Sequence, residues 1–434
     1  MTTIYSARWV LPVSTAAIEN GAVAVEGQRI AFVGPTAEIV ARFPDAQIES
    51  LGEAVILPGL INTHTHLELT ALRGYLEKEE TDFFAWLRKL TIARMERMTP
   101  DDIRVSATWG ACEAVRAGIT CVGDASDSAL LSMVALQDVG LRGVVYQESF
   151  GPDARLAQQN FEQLKGKLDQ LRAQESELVR AGVSPHAPYT VCAPQLELIA
   201  ELALSEGLSL MMHAAESEAE ELLLREGIGP FADGLARRGI EWTAPRMSTI
   251  QYLKQVGILE TQPLLAHCIR VDEEDIETLR ETESAVAHCP KSNAKLGHGR
   301  APFAEFLEAG VLVGLGSDSV ASNNTCDILE EARFATLLSR AAGEHVSAEQ
   351  ALRAAMFGGE LKEGSKADLV AVRLNGVHQT PSYDPAATLI FSSSGRDVIL
   401  TVIDGREVYR DGRVTTVDED RLRARMREIS EKLF

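Results

Sequence analysis

Several protein classes are excluded by what the 434-residue chain lacks. No apolar stretch is long enough to span a bilayer, and the opening MTTIYSARWVLPVS has neither the basic n-region nor the apolar h-region of a secretory signal. A cytoplasmic location is the expectation. No Lys/Arg run offsets the formal net charge of −21, so phosphate backbones and anionic surfaces are repelled. Nucleic acid polymers and membranes are therefore poor partners. Cys112, Cys121, Cys192, Cys268, Cys289 and Cys326 show no CxxC or other paired spacing, which argues against a disulfide framework or an all-cysteine zinc site and for buried free thiols. There is no internal repeat or low-complexity segment. The glycine-rich phosphate turn of a doubly wound sheet is also missing: after the first apolar strand the chain reads PGLINTHTH.

With 45 % hydrophobic and 24 % charged residues, the chain can bury one large core and a smaller appended one. Its middle repeats one pattern eight times: a short apolar run, an ionisable residue, then a helical stretch. The ionisable residues are His64, Asp124, Glu148, His186, His213, His267, His288 and Asp318. Apolar strands alternating with helices predict parallel strands buried on both faces, and eight predict an α/β fold of the closed (β/α)₈ TIM-type barrel kind over 57–361. In such barrels the reactive groups stand at the carboxyl ends of the strands, where these residues fall. The flanks, 1–56 and 362–434, instead alternate apolar and polar residues around Gly, Asn-Gly and Asp-Gly turns, predicting a composite β-sandwich domain built from both chain ends.

His64 and His66 in NTHTHLE occupy positions i and i+2 of a strand end, so both imidazoles point the same way and can reach one ion. Alone, this HxH pattern equally describes satisfied core or surface histidines. In HAAE, His213 can complete a metal shell while Glu216 stands close by as a proton carrier that does not bind the ion. The acids that follow, Glu218, Glu220 and Glu221, read as the solvated first turn of a helix. Asp318 in GLGSDSVASNN follows a strand among glycines that let backbone approach closely; its alternative role is a helix N-cap. His267 in LLAHC is either a ligand or a hydrogen-bond partner of a metal-bound water. Three histidines and an aspartate suit zinc, although iron, manganese and nickel accept the same donors. Such an ion lowers the pKa of a bound water toward roughly 7, generating a nucleophile at neutral pH.

The combination LPGLINTHTHLELT, SPHAPYTV, HAAE, LLAHC, AHCPKSNAKLGHG and GLGSDSVASNN resembles the amidohydrolase superfamily, in its branch of chlorohydrolases, cytosine deaminases and adenosine-derivative deaminases. The resemblance spans nearly the whole chain. It implies that His64, His66, His213 and Asp318 bind one divalent metal ion, most simply Zn²⁺. It further implies that Glu216 shuttles a proton to a ring nitrogen, that His267 orients the water, and that Asp318 accepts its proton. His186 stands where binuclear members carry a carboxylated lysine, so one ion is expected and His186 becomes a substrate contact. His288 resembles a position that supports substrate or loop, and Asn293 a loop hydrogen-bonding residue.

Two departures refine this. The Trp-Leu segment ending in Pro-x-Glu that follows the first-strand motif in methylthioadenosine and S-adenosylhomocysteine deaminases reads FFAWLRKLTIARMER here, with Trp86 present, the Pro absent and Glu96 out of register. That segment, with YQESFGP and RMSTIQYL, looks more like aminodeoxyfutalosine deaminases of menaquinone biosynthesis. The other departure is an abrupt link at Gly359-Glu360, where relatives carry a longer one. The resulting expectation is a deaminase of an adenine nucleoside with a modified 5′ end, aminodeoxyfutalosine ahead of S-adenosylhomocysteine and methylthioadenosine. Trp86, Arg88 and Arg94 line the substrate mouth in this reading, the arginines pairing with a substrate carboxylate. The alternatives are a guanine or cytosine deaminase, a chlorohydrolase-type hydrolase of another heteroaromatic ring, and a non-catalytic binding protein, the last disfavoured because no implied residue is missing. The partner is thus a small heteroaromatic or nucleoside molecule, and the chain is compatible with a homo-oligomer.

Overall fold

The computed structural model describes residues 2–434. Eight parallel strands, Leu60–Thr65, Ile119–Ser126, Arg142–Ser149, Val179–Pro185, Ser209–Ala214, Leu264–His267, Ala285–His288 and Val313–Leu315, pair in sequence order. Each is followed by helix, as the alternating pattern requires. The runs are apolar throughout because both faces are covered: Leu210, Met211 and Met212 are all buried, Leu210 and Met212 toward the surrounding helices and Met211 toward the barrel axis with Ala125 and Tyr146. Each of the eight ionisable residues stands at or just past the end of its strand or, for His64, Asp124, Glu148 and His213, one or two residues inside it.

The barrel closes at the future site. Thr65 bridges Asp318 in parallel register, the Asp318 amide donates to the His64 carbonyl at 2.9 Å, and Thr65 Oγ1 donates to the Asp318 carbonyl at 3.2 Å. Backbone pairing that ends the sheet is thus the same pairing that sets the first-strand histidines beside Asp318. Gly316 makes this approach feasible, since a Cβ there would stand 2.8 Å from Cys289 Sγ and 3.0 Å from His64 Cβ.

Both chain ends contribute to a second, nine-stranded mixed sheet. The strand Thr2–Val10 pairs antiparallel with Ile18–Glu26, and Ala54–Pro58 pairs antiparallel with Leu369–Arg373. The sheet curls on itself. The Ala367 amide donates to the Gln28 carbonyl, and Val23, Val25, Leu400 and Val402 share one core. The sheet runs on to Pro58, and 362–434 also holds two helices that pack on the barrel side. Pro385–Ser392 adds Leu389 and Ile390 to the barrel core, and Glu419–Leu433 adds Ile429 and Leu433 to the cluster containing Leu69, Leu72 and Trp86. At the short link, Leu361 is buried in the core of the curled sheet and its amide donates to the Pro12 carbonyl. The six cysteines are free, five of them buried. Among the described residues no helix is long and apolar enough to cross a membrane.

Candidate active site

At the carboxyl rim, His64 Nε2 and His66 Nε2 lie 3.5 and 3.6 Å from Asp318 Oδ1, and His66 Nε2 lies 3.3 Å from His213 Nε2. Ring nitrogens of His64, His213 and His267 also fall within 4.8 Å of one another. His64 Nε2 is sealed from solvent without a hydrogen-bond partner. Convergence of buried, unpaired imidazole nitrogens on a carboxylate oxygen is costly unless something satisfies them, and this N/O donor set fits a zinc-type ion.

The outer contacts point the donors inward. His213 Nδ1 donates to the His186 carbonyl at 2.9 Å, leaving Nε2 for an ion. Asp318 Oδ2 accepts from Ser292 Oγ at 2.6 Å and Ser322 Oγ at 3.0 Å, turning Oδ1 toward the histidines. Burial pushes His66 down to about 3 and holds His213 well below its ordinary range, with neighbouring imidazoles adding to both, so these rings are neutral and able to ligate. Burial alone would raise Asp318, but His64, His267 and His66 hold it well below the carboxylate range. Asp318, His267, Cys268 and Ala215 all adopt left-handed backbone, with φ of 54°, 75°, 46° and 51°. Such conformations cost on the order of 1–3 kcal/mol each and cluster at functional sites.

Glu216 is buried beside this cluster. Its Oε1 lies 3.6 Å from His267 Nε2 and 3.7 Å from His298 Nε2, and its Oε2 accepts from Tyr189 OH at 3.3 Å. His267 Nδ1 faces Asn293 Oδ1 at 2.8 Å. Burial would lower the His267 pKa, but the carboxylates of Glu216 and Asp318 raise it. Glu220 departs from the solvated-turn expectation: it is fully buried, accepts from the amides of Ala215 and Glu216 at 2.8 and 3.1 Å, and burial pushes it up to about 7. Glu218 keeps to the expectation and is exposed.

A cavity of about 560 Å³ opens above Glu216, His213 and Asp318. One wall is the helix Phe83–Ile92, capped by Asp82, whose carboxylate accepts from the Phe84 and Ala85 amides at 3.1 and 3.0 Å. Phe83, Trp86, Leu87 and Leu90 recur at i, i+3, i+4 and i+7, forming the apolar face that lines the cavity. Phe150 and Tyr189 line it as well. His186 joins them, its Nδ1 at 3.0 Å from Thr190 Oγ1, and burial pushes its pKa down to about 4.

The two predicted arginine contacts fare differently. Arg88 follows Trp86 by two residues, which is roughly 200° around a helix. It is exposed and lines a separate hollow with Tyr75 and Glu79, so it does not reach the cavity. Arg94 lines the cavity, but its guanidinium is paired inside the protein, with Glu68 at 2.8 Å and Asp127 at 2.9 Å. The guanidinium at the mouth that has no carboxylate partner among the described residues is that of Arg238, which sequence reasoning missed. Glu68, Glu148, Tyr189 and His298 were likewise given no role there. Glu148 lines the cavity with Oε1 unpartnered, and burial beside Glu68 pushes it up to about 8. Tyr189, three residues past His186 in SPHAPY, and His298, in KLGHG, lay inside motifs already singled out. Glu96 is exposed. His288 is buried against Phe303, with ring centroids 5.2 Å apart.

Residues 55–408 match the amidohydrolase family, and 21–46 match the bacterial imidazolonepropionase-like composite domain. The chain belongs to the amidohydrolase family. As an amidohydrolase it is a hydrolase acting on carbon–nitrogen bonds. It is 33 % identical over 420 residues to a 5-methylthioadenosine/S-adenosylhomocysteine deaminase of Pelotomaculum thermopropionicum, covering 93 % of this chain and 92 % of the relative. A similarly named deaminase of Symbiobacterium thermophilum is 32 % identical over 445 residues, covering 98 % and 97 %. Among solved structures, a zinc-bound adenosine deaminase from Xanthomonas campestris superposes with TM-score 0.88 at 26 % identity, covering 99 % of this amidohydrolase and 98 % of that chain. A zinc-complexed atrazine chlorohydrolase from Arthrobacter aurescens TC1 superposes at 0.85 with 24 % identity, covering 99 % and 100 %, a likeness of fold.

Proposed function

We propose that this amidohydrolase is a mononuclear, zinc-type deaminase of adenosine derivatives. The observation that carries this reading is Glu216: a buried carboxylate beside the His/Asp cluster, on the floor of a cavity with aromatic walls, contacted by two imidazoles and a phenol. That is the placement a proton carrier needs, close to both the attacking water and a flat heteroaromatic ring.

His64, His66, His213 and Asp318 would hold the ion, whose contribution when bound is to acidify a water molecule. Glu216 is placed to take a proton from the attacking water and deliver it to a ring nitrogen, so that negative charge does not build up on the ring. The water oxygen bonds to the amino-bearing carbon, its second proton passes through Asp318 or Glu216 to the amino group, and the C–N bond breaks to release ammonia and leave a ring carbonyl. His267, tethered to Asn293, orients the water. Phe83, Trp86 and Phe150 enclose the ring and exclude bulk water. The names of the relatives and the zinc in the adenosine deaminase neighbour support this reading.

The finer reading keeps aminodeoxyfutalosine first, ahead of S-adenosylhomocysteine and methylthioadenosine, on the resemblance of the Trp86 segment. The anion contact passes from Arg88 and Arg94 to Arg238, because a guanidinium already holding two carboxylates has little charge left to offer a third. Ammonia release should be measured from purine nucleosides, guanine, cytosine and aminodeoxyfutalosine with zinc-loaded protein. Turnover confined to adenosine derivatives, with methylthioadenosine the poorest of the three by kcat/KM, is expected. Preferential turnover of guanine or cytosine would overturn the substrate class, and methylthioadenosine as the best substrate would overturn the anion contact.

A further inference from the structure

Glu216 has one contact that the proposed chemistry does not use. His298 Nε2 lies 3.7 Å from Glu216 Oε1, sealed from solvent and without a hydrogen-bond partner. The residue is 9 % exposed, although Gly297 and Gly299 on either side of it are exposed. Its backbone amide donates to the Asn293 carbonyl at 2.9 Å, so the residue that tethers His267 by its side chain tethers His298 by its main chain. Both imidazoles, tied to Asn293, therefore bring Nε2 to the same carboxylate oxygen, at 3.6 and 3.7 Å.

The two rings are not equivalent as donors. The Nδ1–H of His267 is committed to Asn293 Oδ1, so in the neutral ring Nε2 carries a lone pair and cannot donate to Glu216. His298 has no such commitment, and its neutral ring can carry its proton on Nε2, facing Oε1. Tyr189 OH already donates to the other oxygen, Oε2. On its far side the His298 ring meets Phe83 edge to face, with centroids 4.7 Å apart and planes at 81°. Phe83 opens the helix that forms the apolar wall, so His298 lies between that wall and the carboxylate.

We propose that His298 is a positioning residue for Glu216: in the zinc-loaded enzyme its protonated Nε2, 3.7 Å from Oε1 here, closes on that oxygen while Tyr189 holds Oε2, so that the carboxylate keeps its orientation over the substrate ring. This rests on Glu216 being the proton carrier. A lost hydrogen bond to a charged group corresponds to roughly tenfold to hundredfold in rate. His298→Ala is expected to lower kcat by about that factor on any nucleoside the wild type deaminates, with KM within about twofold and metal content unchanged. His298→Gln, which keeps an N–H donor, recovers part of the loss. Because the effect runs through Glu216, His298→Ala adds nothing in a Glu216→Gln background. An equal loss in both backgrounds, or a raised KM with kcat intact, would overturn the proposal. Crystal structures of the zinc-loaded wild type and His298→Ala give a readout that needs no turnover: the Glu216 carboxylate turns or loses order in the variant. An unchanged, well-ordered Glu216 refutes the positioning role. A wild type that releases no ammonia from any adenosine derivative refutes the deaminase reading instead, and the crystal comparison still decides the role of His298.

Discussion

Replacing Arg94 by methionine keeps most of the side-chain volume and removes the charge. Glu68, whose side chain is 2 % exposed, would lose its contact to Arg94 Nε at 2.8 Å and retain only Ser126 Oγ at 2.6 Å and the Ser128 amide at 3.1 Å. Asp127 suffers less, because Lys167 Nζ stays 2.8 Å from it. Removing one partner of a buried ion pair costs about 3–5 kcal/mol, since the remaining charge is left uncompensated. The two surviving hydrogen bonds to Glu68 place Arg94→Met near the lower end, about 3 kcal/mol. At about 2.1 cal/mol/K per residue of unfolding entropy, a chain of this length loses roughly 3 °C in Tm for that destabilisation. Urea unfolding of wild type, Arg94→Met, Glu68→Gln and the double variant is the assay, with a coupling of about 2 kcal/mol expected because Glu68→Gln removes the orphaned charge. If Arg94→Met unfolds within about 0.5 kcal/mol of wild type and raises KM only for carboxylate-bearing nucleosides, then the guanidinium serves the substrate and the internal-pair reasoning is refuted.

Purified protein should carry about one zinc-type ion per chain, since the donors describe one shell with one open position; His64→Ala and His213→Ala should lose both metal and turnover, and elemental analysis finding two ions would contradict this. Glu216→Gln should keep its metal and lose turnover by roughly 10² or more, the scale of a positioned proton-transfer group, whereas Asp318→Asn should impair both; near-normal kcat in Glu216→Gln would refute the assignment. His288 titrates far below an ordinary histidine because burial, and then His267, push it down to about 3. Its folded pKa therefore lies below the unfolded value of about 6.5, so its contribution to stability is complete above that pH and drains as pH falls toward 3 at up to about 1.4 kcal/mol per unit. Between pH 7 and 5 the wild type should lose about 2 kcal/mol more than His288→Gln in urea unfolding, and equal losses would show that the ring is not held neutral.

What the chain determined by itself was the barrel and the set of groups at its rim. Strand-end position and the two-residue alternation of His64 and His66 are local properties, carried by apolar runs that end on an ionisable residue eight times, so the convergence on Asp318 was legible before any coordinates. The face occupied by Arg88 was legible too, in the spacing of Phe83, Trp86, Leu87 and Leu90, although the expectation placed Arg88 at the substrate mouth. Tertiary structure decided the rest. Arg94 is neutralised by Glu68 and Asp127, Glu220 is buried under the loop it pins, Arg238 reaches the mouth from the turn that ends the helix Pro230–Arg237, and His298 meets Glu216 from a loop 82 positions further along the sequence. The Arg94 pairs and the His298–Glu216 contact join segments distant in sequence, and the site of Arg238 is set by how its helix packs at the rim. Periodicity reports which face of its own element a side chain occupies, whereas the partner of a buried charge is set by which elements the closed barrel brings together.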